Sequence, residues 1–545
     1  MKFFATVVAM SACFSAFAGG ILTNTNQSVN FLRNPARDAA IGIDGVYSNP
    51  AGVAFMPDGL HLSFNWQYAM QTREITGDNP LFALGAKNNG QTEKKFKGIA
   101  NAPFIPSIQA AYNKGHWSFQ FNFSVTGGGG KCEFDQGVGS FETVVGAIAG
   151  KMMGVSSALN QELAPLGASV PGVTGYDVDA YMKGKQYYFG IQLGAAYKIN
   201  KNISVYGGLR MLYGIGAYEA RLNNIRIMNG TEGMTLPVYF EGITQGLMDA
   251  RGTLAANGQA ITDGINSYVA GYMAAGYTKE QAMQMPEVVA LQQKGAEVQA
   301  AAGRLQATAD QLAASGEILA PYSNGVNLKS DQKGFGIAPV LGVDFKIGAF
   351  NFAAKYDFKV RMRMKNDSDL PAATVISATN KFVNGTSVPE DAPALLTLGA
   401  QWSIRPDLRL NLGYHHFFDT SAHWYDHSER LLSGGTNEYL AGLEWDINRK
   451  FQISGGAQVT RYPLTDAYMN DMSFVVNSWT FGLGIGYQVT KNVKINAAYF
   501  QTNYSHYKMN TPEQNMESLS LTIPAGTNDY YRTNKVLGLG VDLTF

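Results

Sequence analysis

Val536-Leu-Gly-Leu-Gly-Val-Asp-Leu-Thr-Phe545 is the stretch that decides the fold of this 545-residue chain. Its odd-numbered positions from 537 to 545 are all large and apolar, whereas the even-numbered positions hold Gly538, Gly540, Asp542 and Thr544. Successive side chains of a β-strand point to opposite faces, so this strand has one apolar face and one small or polar face. That pattern is typical of a membrane-spanning β-barrel, in which one face meets lipid and the other faces the lumen.

The same alternation recurs in about fourteen segments of the chain. Each is long enough to cross a bilayer as a tilted strand, which takes about 9–11 residues. We therefore predict an all-β fold, a transmembrane antiparallel β-barrel of about 14 strands. The predicted strands lie near residues 59–71, 104–114, 116–126, 185–199, 202–217, 334–347, 350–364, 392–404, 408–418, 437–447, 450–462, 474–489, 492–506 and 530–545.

The connections between these segments alternate between short and long. Gly348-Ala349 and Arg405-Pro406-Asp407 are tight turns, whereas long excursions separate the hairpins that such turns close. Outer-membrane barrels have short periplasmic turns and long extracellular loops. A secreted soluble β-sandwich is the alternative, but it would not repeat this asymmetry so regularly.

Composition agrees with a barrel and excludes other classes. Charged residues make up only 15% of the chain and aromatic residues 12%, with 61 glycines. The net charge is zero, which gives no indication of nucleic-acid binding. After Met1 to Ala18 are removed, Cys132 is the one remaining cysteine, so we predict neither an intrachain disulfide nor a metal site, and no cofactor.

The first 18 residues predict export. Lys2 precedes an almost wholly apolar run, and Ala16-Phe17-Ala18 is a signal-peptide cleavage sequence. A lipoprotein signal that uses Cys13 is the alternative, although its apolar run would be very short. No later segment has the roughly 18 uncharged apolar residues of a membrane-spanning helix. We therefore predict a signal peptide at 1–18 and a bacterial outer-membrane location.

Residues 19–58 precede the first strand and predict a plug, or hatch, inside the barrel, with the barrel at 59–545. A barrel of this size is too wide for its own side chains to fill. The segment is rich in Asn, Gly and Ala but contains Ile41, Val46 and Tyr47, which give it apolar groups to bury. A disordered periplasmic tail is the alternative.

This layout resembles the FadL/TodX family of outer-membrane transporters for long-chain fatty acids and hydrocarbons. The resemblance rests on the signal peptide, the hatch-like segment and the motif Asn49-Pro50-Ala51 just before the first strand. A second copy, Asn34-Pro35-Ala36, shows that so short a motif recurs easily. The resemblance implies a fourteen-stranded barrel with an N-terminal hatch, in agreement with the strand count. The chain departs from the family in the size of its excursion at about 218–333.

That excursion contains helical sequence. Leu291, Val298, Leu305 and Leu312 are spaced by seven, and each is followed four residues later by Gly or Ala. Such a stripe suits close helix packing. A stretch around 261–272 offers a partner helix, and Thr278-x-x-Gln281 predicts a capping box between the two. The helices either pack only on each other outside the cell or help to capture hydrophobic ligands with their methionines.

Two groups of residues are candidates for a ligand role. On the alternation pattern, a cationic face of the seventh strand and one residue of the fifth project into the lumen. There they would bind a carboxylate, pair with Asp38 or Asp44 of the hatch, or lie solvated near the outer rim. These candidates are Arg210, Lys355, Lys359, Arg361 and Arg363. The run Gly127, Gly128, Gly129 and Gly130 either kinks the third strand or ends it. In the resembled family, a kink in that strand opens the wall sideways.

His423 and His427 are spaced as a zinc pair on a helix would be, but their loop position beside Trp424-Tyr425 favours an interfacial or capping role. The chain contains no G-x-S-x-G elbow and no P-loop, so we expect no enzyme. The resemblance implies passive, hatch-gated uptake of long-chain fatty acids or other hydrophobic compounds by a monomer in the outer-membrane bilayer. A general porin for small polar solutes and a surface-binding barrel whose large loop recognises a partner are the alternatives.

Overall fold

Fourteen long antiparallel strands form a closed barrel in the computed structural model, which describes residues 21–319, 325–369, 380–472, 474–516 and 521–545. The predicted signal peptide lies outside these residues. Each strand is hydrogen-bonded to the next, and the last is bonded to the first. The strands are β1 Gly59–Asp78, β2 Ala102–Lys114, β3 Trp117–Phe134, β4 Gly175–Lys198, β5 Ile203–Asn229, β6 Val326–Ile347, β7 Phe350–Asp357, β8 Leu395–Arg405, β9 Leu408–Phe417, β10 Asn437–Asp446, β11 Phe451–Arg461, β12 Ser478–Thr490, β13 Val493–Tyr504 and β14 Gly526–Thr544.

The two faces of β14 follow the alternation read from the sequence. Leu537 and Leu539 are 44% and 51% exposed on the outer wall, where lipid covers them, whereas Val536 is fully buried inside. Gly538 faces inward and lies against Leu32 and Val29 of the N-terminal segment. The count of fourteen spanning strands and the antiparallel barrel are confirmed.

The long connections lie at the end of the barrel opposite the short turns, and they carry the larger helices. The predicted capping box at Thr278 and Gln281 is present. No helix in the described part of the chain is long and apolar enough to cross a membrane. The helices are α1 Val29–Arg33, α2 Gly45–Ser48, α3 Gly139–Leu163, α4 Leu236–Ala274, α5 Lys279–Met283 and α6 Pro286–Leu319.

α4 and α6 form the predicted antiparallel hairpin. Small residues of one helix face large residues of the other, as in the pairs Gly264 with Leu291 and Gly258 with Val298. β5 and β6 extend well beyond their predicted ends, to Asn229 and from Val326, so the excursion between them is shorter than the predicted 218–333. The strands extend because β5 and β6 continue to pair as far as Leu222 and Val326 above the wall.

Residues 21–58 fill the barrel as a plug. Almost all of them are buried, including the two short helices α1 and α2. The inward-facing glycines of the wall make room for them, because a Cβ added at Gly482 of β12 would lie 2.0 Å from the carbonyl oxygen of Leu32. The small residues on the inner face of the strands are therefore the surface on which the plug packs.

Candidate functional site in the barrel lumen

The Asn49-Pro50-Ala51 motif fastens the plug to the wall. The Asn49 side-chain amide donates to the Asp344 carboxylate of β6 at 2.5 Å, and its oxygen accepts from the Gly52 N–H at 3.2 Å. The carbonyl oxygens of Pro50 and Ala51 accept from Gln120 at 2.7 Å and Ser204 at 2.6 Å. All three residues of the motif therefore hydrogen-bond to side chains of the barrel wall.

Two buried charge clusters connect the plug to β9 and β10. Arg37 of the plug donates to Asp44 and to Glu444, both at 2.8 Å. His415 of β9 lies between Asp38 of the plug, at 3.0 Å, and Glu438, at 2.8 Å. Buried ion pairs are costly to break because the remaining charge is left unpaired in a poorly solvated site, so these clusters hold the plug in place.

Arg210 and Lys355 face the lumen as predicted, and their cations are engaged within the protein. Asp357 lies 3.0 Å from Arg210 and 3.1 Å from Lys355. Lys355 also donates to the Tyr47 carbonyl oxygen at 3.0 Å, and both cations lie over the Tyr47 ring, at 4.9 Å for Arg210 and 4.6 Å for Lys355. Asp38 and Asp44, the hatch acids considered as their partners, instead bond to His415 and Arg37.

Two arginines that the sequence analysis did not select lie side by side higher in the lumen. Arg73 of β1 and Arg532 of β14 are direct cross-strand partners, and they are only 1% and 2% exposed. The one Arg532 hydrogen bond in the described residues is long, 3.4 Å to the Phe474 carbonyl oxygen, and no carboxylate lies within ion-pair distance of Arg532. Two like charges opposite each other in a low-dielectric site repel, and the Nε of Arg532 has no hydrogen-bond partner in the described residues, so Arg532 has capacity left to bind an anion.

The neighbouring inward-facing amides are also incompletely satisfied. In the described structure, neither side-chain polar atom of buried Gln71 has a hydrogen-bond partner, and the side-chain oxygen of buried Asn534 has none. Gln71 precedes Arg73 by two residues on β1, and Asn534 follows Arg532 by two on β14, so all four side chains share the inner face. Buried polar groups are normally hydrogen-bonded, and this cluster therefore has donors and acceptors available for a ligand.

An apolar cavity of about 420 Å³ opens among the extracellular loops at the same end of β1 and β14, and none of the four residues of this cluster lines it. Tyr530 lines the cavity and precedes Arg532 by two residues on the inner face of β14. Asp471, at the cavity wall, accepts from the Ser140 N–H at 2.7 Å, and burial raises the pKa of its carboxyl. The other apolar lining residues include Phe82, Val144, Met469, Met509 and Met516.

The glycine run interrupts the wall within β3. The strand does not end there: it continues to Phe134, but its register against β4 shifts between Val125 and Gly130. β2 and β3 pair only up to Ser107 and Ser124, so of the two alternatives the run distorts the strand and does not end it. Gly128 and Gly130 have positive φ, 86° and 66°, which favours glycine at both.

The beginning of the plug covers this interruption from inside. The Asn24 N–H donates to the Thr126 carbonyl oxygen at 2.8 Å, and the Gly128 N–H donates to the Leu22 carbonyl oxygen at 3.1 Å. Thr23 and Gly127 form an isolated antiparallel bridge. Residues 22–24 therefore take the place along β3 that β2 has vacated.

Comparison with solved structures identifies the fold of this plugged barrel. The chain superimposes on a Pseudomonas aeruginosa FadL homologue with a TM-score of 0.58 and 13% identity, covering 97% of this chain and all of the other. The chain has the FadL fold. A Ralstonia pickettii toluene transporter, TbuX, matches with a TM-score of 0.46 and 12% identity over 95% of this chain and 99% of TbuX. The Pseudomonas putida toluene transporter TodX matches with a TM-score of 0.44 and 12% identity over 92% and 94%.

The sequence matches no protein-family model and no curated protein. The FadL fold places the chain in the bacterial outer membrane, with its short turns in the periplasm and its long loops outside the cell.

Three of the predicted lumenal cations lie elsewhere in this FadL fold. β7 ends at Asp357, and beyond it the alternation is inverted. Lys359 is half-buried and donates to the Ser421 carbonyl oxygen at 2.7 Å. Arg361 and Arg363 are exposed, whereas Met362 and Met364 between and after them are buried in the interior. The prediction that these two arginines face inward is wrong, because an irregular segment separates β7 from the next short strand, Arg363–Asp369.

The histidine-rich loop after β9 packs on the interior through Trp424, which is 2% exposed and donates to the Asp391 carbonyl oxygen at 2.9 Å. His423 and His427 stack with ring centroids 4.8 Å apart. In the described ranges, no group of three or more His, Cys, Asp or Glu side chains is placed to hold a metal ion. His415, which precedes this loop, belongs to β9 and contacts Asp38 of the plug. Its place in an alternating strand indicates that it lies in the barrel wall.

Proposed function

We propose that the chain is an outer-membrane channel for passive uptake of hydrophobic compounds, and that amphipathic anions such as long-chain fatty acids are among them. The observation that carries this proposal is the apolar extracellular cavity, whose lining includes Tyr530, two residues above buried Arg532 on the inner face of β14. The toluene transporters TodX and TbuX, with which the chain shares its layout, are named for hydrophobic cargo. No reaction is assigned to the chain.

The apolar cavity is the entrance. Methionine side chains are flexible and polarizable, so Met469, Met509 and Met516 suit apolar ligands of varied shape. A fatty acid that enters tail-last would bring its carboxylate to Arg73 and Arg532 and leave its chain against Tyr530 and the loop residues. Charge-assisted hydrogen bonds to guanidinium are the strongest available to a carboxylate.

The exit that we propose is the interrupted wall at β3. Once residues 22–24 move away, β3 loses its partner at positions 126–128 and the lumen faces the membrane beside Ile105 of β2. An apolar ligand leaving sideways avoids the charged plug clusters around Arg37 and Asp38. A movement of the plug's first residues is therefore sufficient, and the Arg37 and His415 contacts need not break.

The proposal is tested by mass spectrometry of small molecules retained by protein that is purified gently from membranes. We expect fatty acids or other hydrophobic compounds at near one per chain, and their loss when the loops that form the apolar cavity are shortened. Recovery of detergent alone, together with free diffusion of sugars into liposomes that contain the protein, would identify a general porin instead.

A further inference from the structure

Lysine residues form a row on the outer wall just above its apolar band. On β6, the outward-facing residues Ile337 and Phe335 are 53% and 60% exposed, and the next outward residue towards the cell exterior is Lys333. On β4, Tyr187 is followed in the same direction by Lys185. Such a boundary between apolar and charged residues marks the level of the lipid head groups.

Within this row, lysines oppose lysines. Lys131 of β3 is the direct cross-strand partner of Lys185, and Lys333 is the direct partner of Lys365 in the short strand Arg363–Asp369. Like charges directly opposite each other on neighbouring strands are destabilising unless an anion lies between them. Two such lysine pairs lie on the β3–β6 side of the barrel, and a bound anion would relieve the repulsion within each pair.

The protein itself supplies few counter-ions at this level. Among the described residues, no carboxylate lies within 4.0 Å of the ammonium groups of Lys185, Lys333 or Lys365, whereas Lys131 pairs with Glu133. Asp331 and Asp367 are the nearest acids in register with the row, and they oppose each other one step farther from the membrane. The lysines thus lie beside the apolar band with few acids of their own, and exposed Arg361 and Arg363 add positive charge next to Lys365.

A cavity of about 660 Å³ joins the two halves of the row. Lys185 lines one side of it and Lys333 and Lys365 line the other, with Ile215 of β5 between them and Asp331 and Asp367 at its outer edge. Towards the membrane, the next outward-facing residues after Ile215 and Lys333 are Tyr213 and Phe335, which are 44% and 60% exposed. The cavity therefore combines cations, depth and an apolar lower rim, which are the requirements of a lipid head group carrying phosphate.

We propose that Lys131, Lys185, Lys333 and Lys365 form a binding site for a phosphorylated lipid of the outer leaflet. Its phosphate groups lie between the opposed lysines, and its acyl chains run down the wall over Phe335 and Ile337. This site is separate from the lumen and does not depend on which compound the channel passes.

The test uses the full-length barrel in nanodiscs and the probes diphosphorylated lipid A, the same lipid without its phosphates, and inorganic phosphate. The test variant carries Lys131→Gln, Lys185→Gln, Lys333→Gln and Lys365→Gln. The control variant makes the same change at four exposed lysines of the periplasmic turns, Lys114, Lys201, Lys450 and Lys491. Heat-modifiability on gels establishes that both variants are folded.

We expect native mass spectrometry to show diphosphorylated lipid A retained by the wild type and the control. We expect retention at least about tenfold lower for the test variant, because each lysine near an anionic head group contributes binding energy. Equal retention by the test and control variants would overturn the proposal. So would equal retention of the lipid without phosphates, or inorganic phosphate that binds the row as tightly as the lipid does.

Discussion

Arg37 and Glu444 join the plug to the wall through an ion pair of 2.8 Å in which both side chains are less than a tenth exposed. Glu444 also accepts from Arg409 of β9 at 3.1 Å. One carboxylate thus neutralises cations from the plug and from the barrel. Removal of its charge would leave Arg37 with Asp44 and Arg409 with Asp446 as remaining partners, so the free-energy cost is below the roughly 3–5 kcal/mol of a buried charge left wholly unpaired.

Glu444→Gln is expected to loosen the plug and raise ion conductance in planar bilayers several-fold. The cause is repulsion between Arg37 and Arg409, which no longer share a negative partner. Asp407→Asn is the matched control, since it breaks the exposed pair with Arg405 in a periplasmic turn and leaves the plug untouched. Conductance of Glu444→Gln equal to that of the control would show that this contact does not hold the plug.

Gly127→Val is expected to displace residues 22–24 from the wall. A Cβ at Gly127 would lie 2.3 Å from the Leu22 carbonyl oxygen, which leaves no room for a side chain. In a Cys132→Ser background, a cysteine at Thr23 should then react several-fold faster with a membrane-impermeant maleimide. Gly207→Ala is the control, because nothing lies within 4 Å of the added Cβ. An unchanged rate would mean that the segment stays in place and that the proposed exit is not held shut by it.

Arg532→Met is expected to weaken binding of a long-chain fatty acid about ten- to a hundredfold, the range for loss of a hydrogen bond to a charged group. Binding of the corresponding methyl ester should change little, because it carries no charge. Both affinities are measured by displacement of a fluorescent fatty acid, with Arg461→Met as the control at an exposed arginine. A parallel loss for acid and ester would indicate that the arginine acts through packing and not through the carboxylate.

The fold was predictable because every spanning strand carries its own two-residue period. In β14, Leu537 and Leu539 face lipid and Gly538 faces the plug, and this can be read without knowledge of the partner strands. The capping box at Thr278 and Gln281 was predictable for the same reason, since its four residues form it alone.

The site was less predictable because its residues meet only after the barrel closes. Arg73 and Arg532 lie 459 positions apart and become neighbours where the last strand pairs with the first. The prediction that Arg361 and Arg363 face inward was wrong because β7 ends at Asp357, although the alternation of residue types continues in the sequence. Beyond the end of the strand, that alternation no longer reports which side chains face the lumen. The glycine run of β3 was ambiguous because the segment that covers it lies about a hundred residues away.

Acidification is expected to stabilise the loop between β9 and β10. Asp419 is fully buried, and burial raises the pKa of its carboxyl from 3.8 to about 6. Thr436 opposes this rise by donating two hydrogen bonds to the carboxyl, at 2.8 and 2.6 Å. Nearby His416 also lowers this pKa, and Glu438 raises it. The ordered loop therefore binds a proton more tightly than the open loop. Its stability falls as the pH rises from about 4 to about 6 and then stays constant.

Limited proteolysis of this loop should thus be about tenfold faster at pH 7.5 than at pH 5. The reason is that pH 5 lies about one unit below the raised pKa of Asp419, and one unit is a tenfold change in the opening equilibrium. Each rate is corrected for the pH dependence of the protease on an unfolded substrate. Asp419→Asn should abolish the difference, whereas Asp426→Asn, an exposed acid of the same loop, should retain it. A slope that survives Asp419→Asn would assign the effect to another group.

Shortening the α4–α6 hairpin is expected to leave both the barrel and its transport intact. α4 has 39 residues and spans about 58 Å, but its buried side chains lie mainly before Leu254, where it packs on α3. Beyond that point the two helices contact mainly each other. Joining residue 257 to residue 299 through a short Gly-Ser linker should therefore change fatty-acid uptake less than about twofold. Tyr239→Ala at the base of the hairpin should instead lower local stability by about 3–5 kcal/mol, as for other buried aromatic residues. A large fall in uptake by the shortened hairpin would instead assign its exposed tip, with Met273 and Tyr277, to ligand capture.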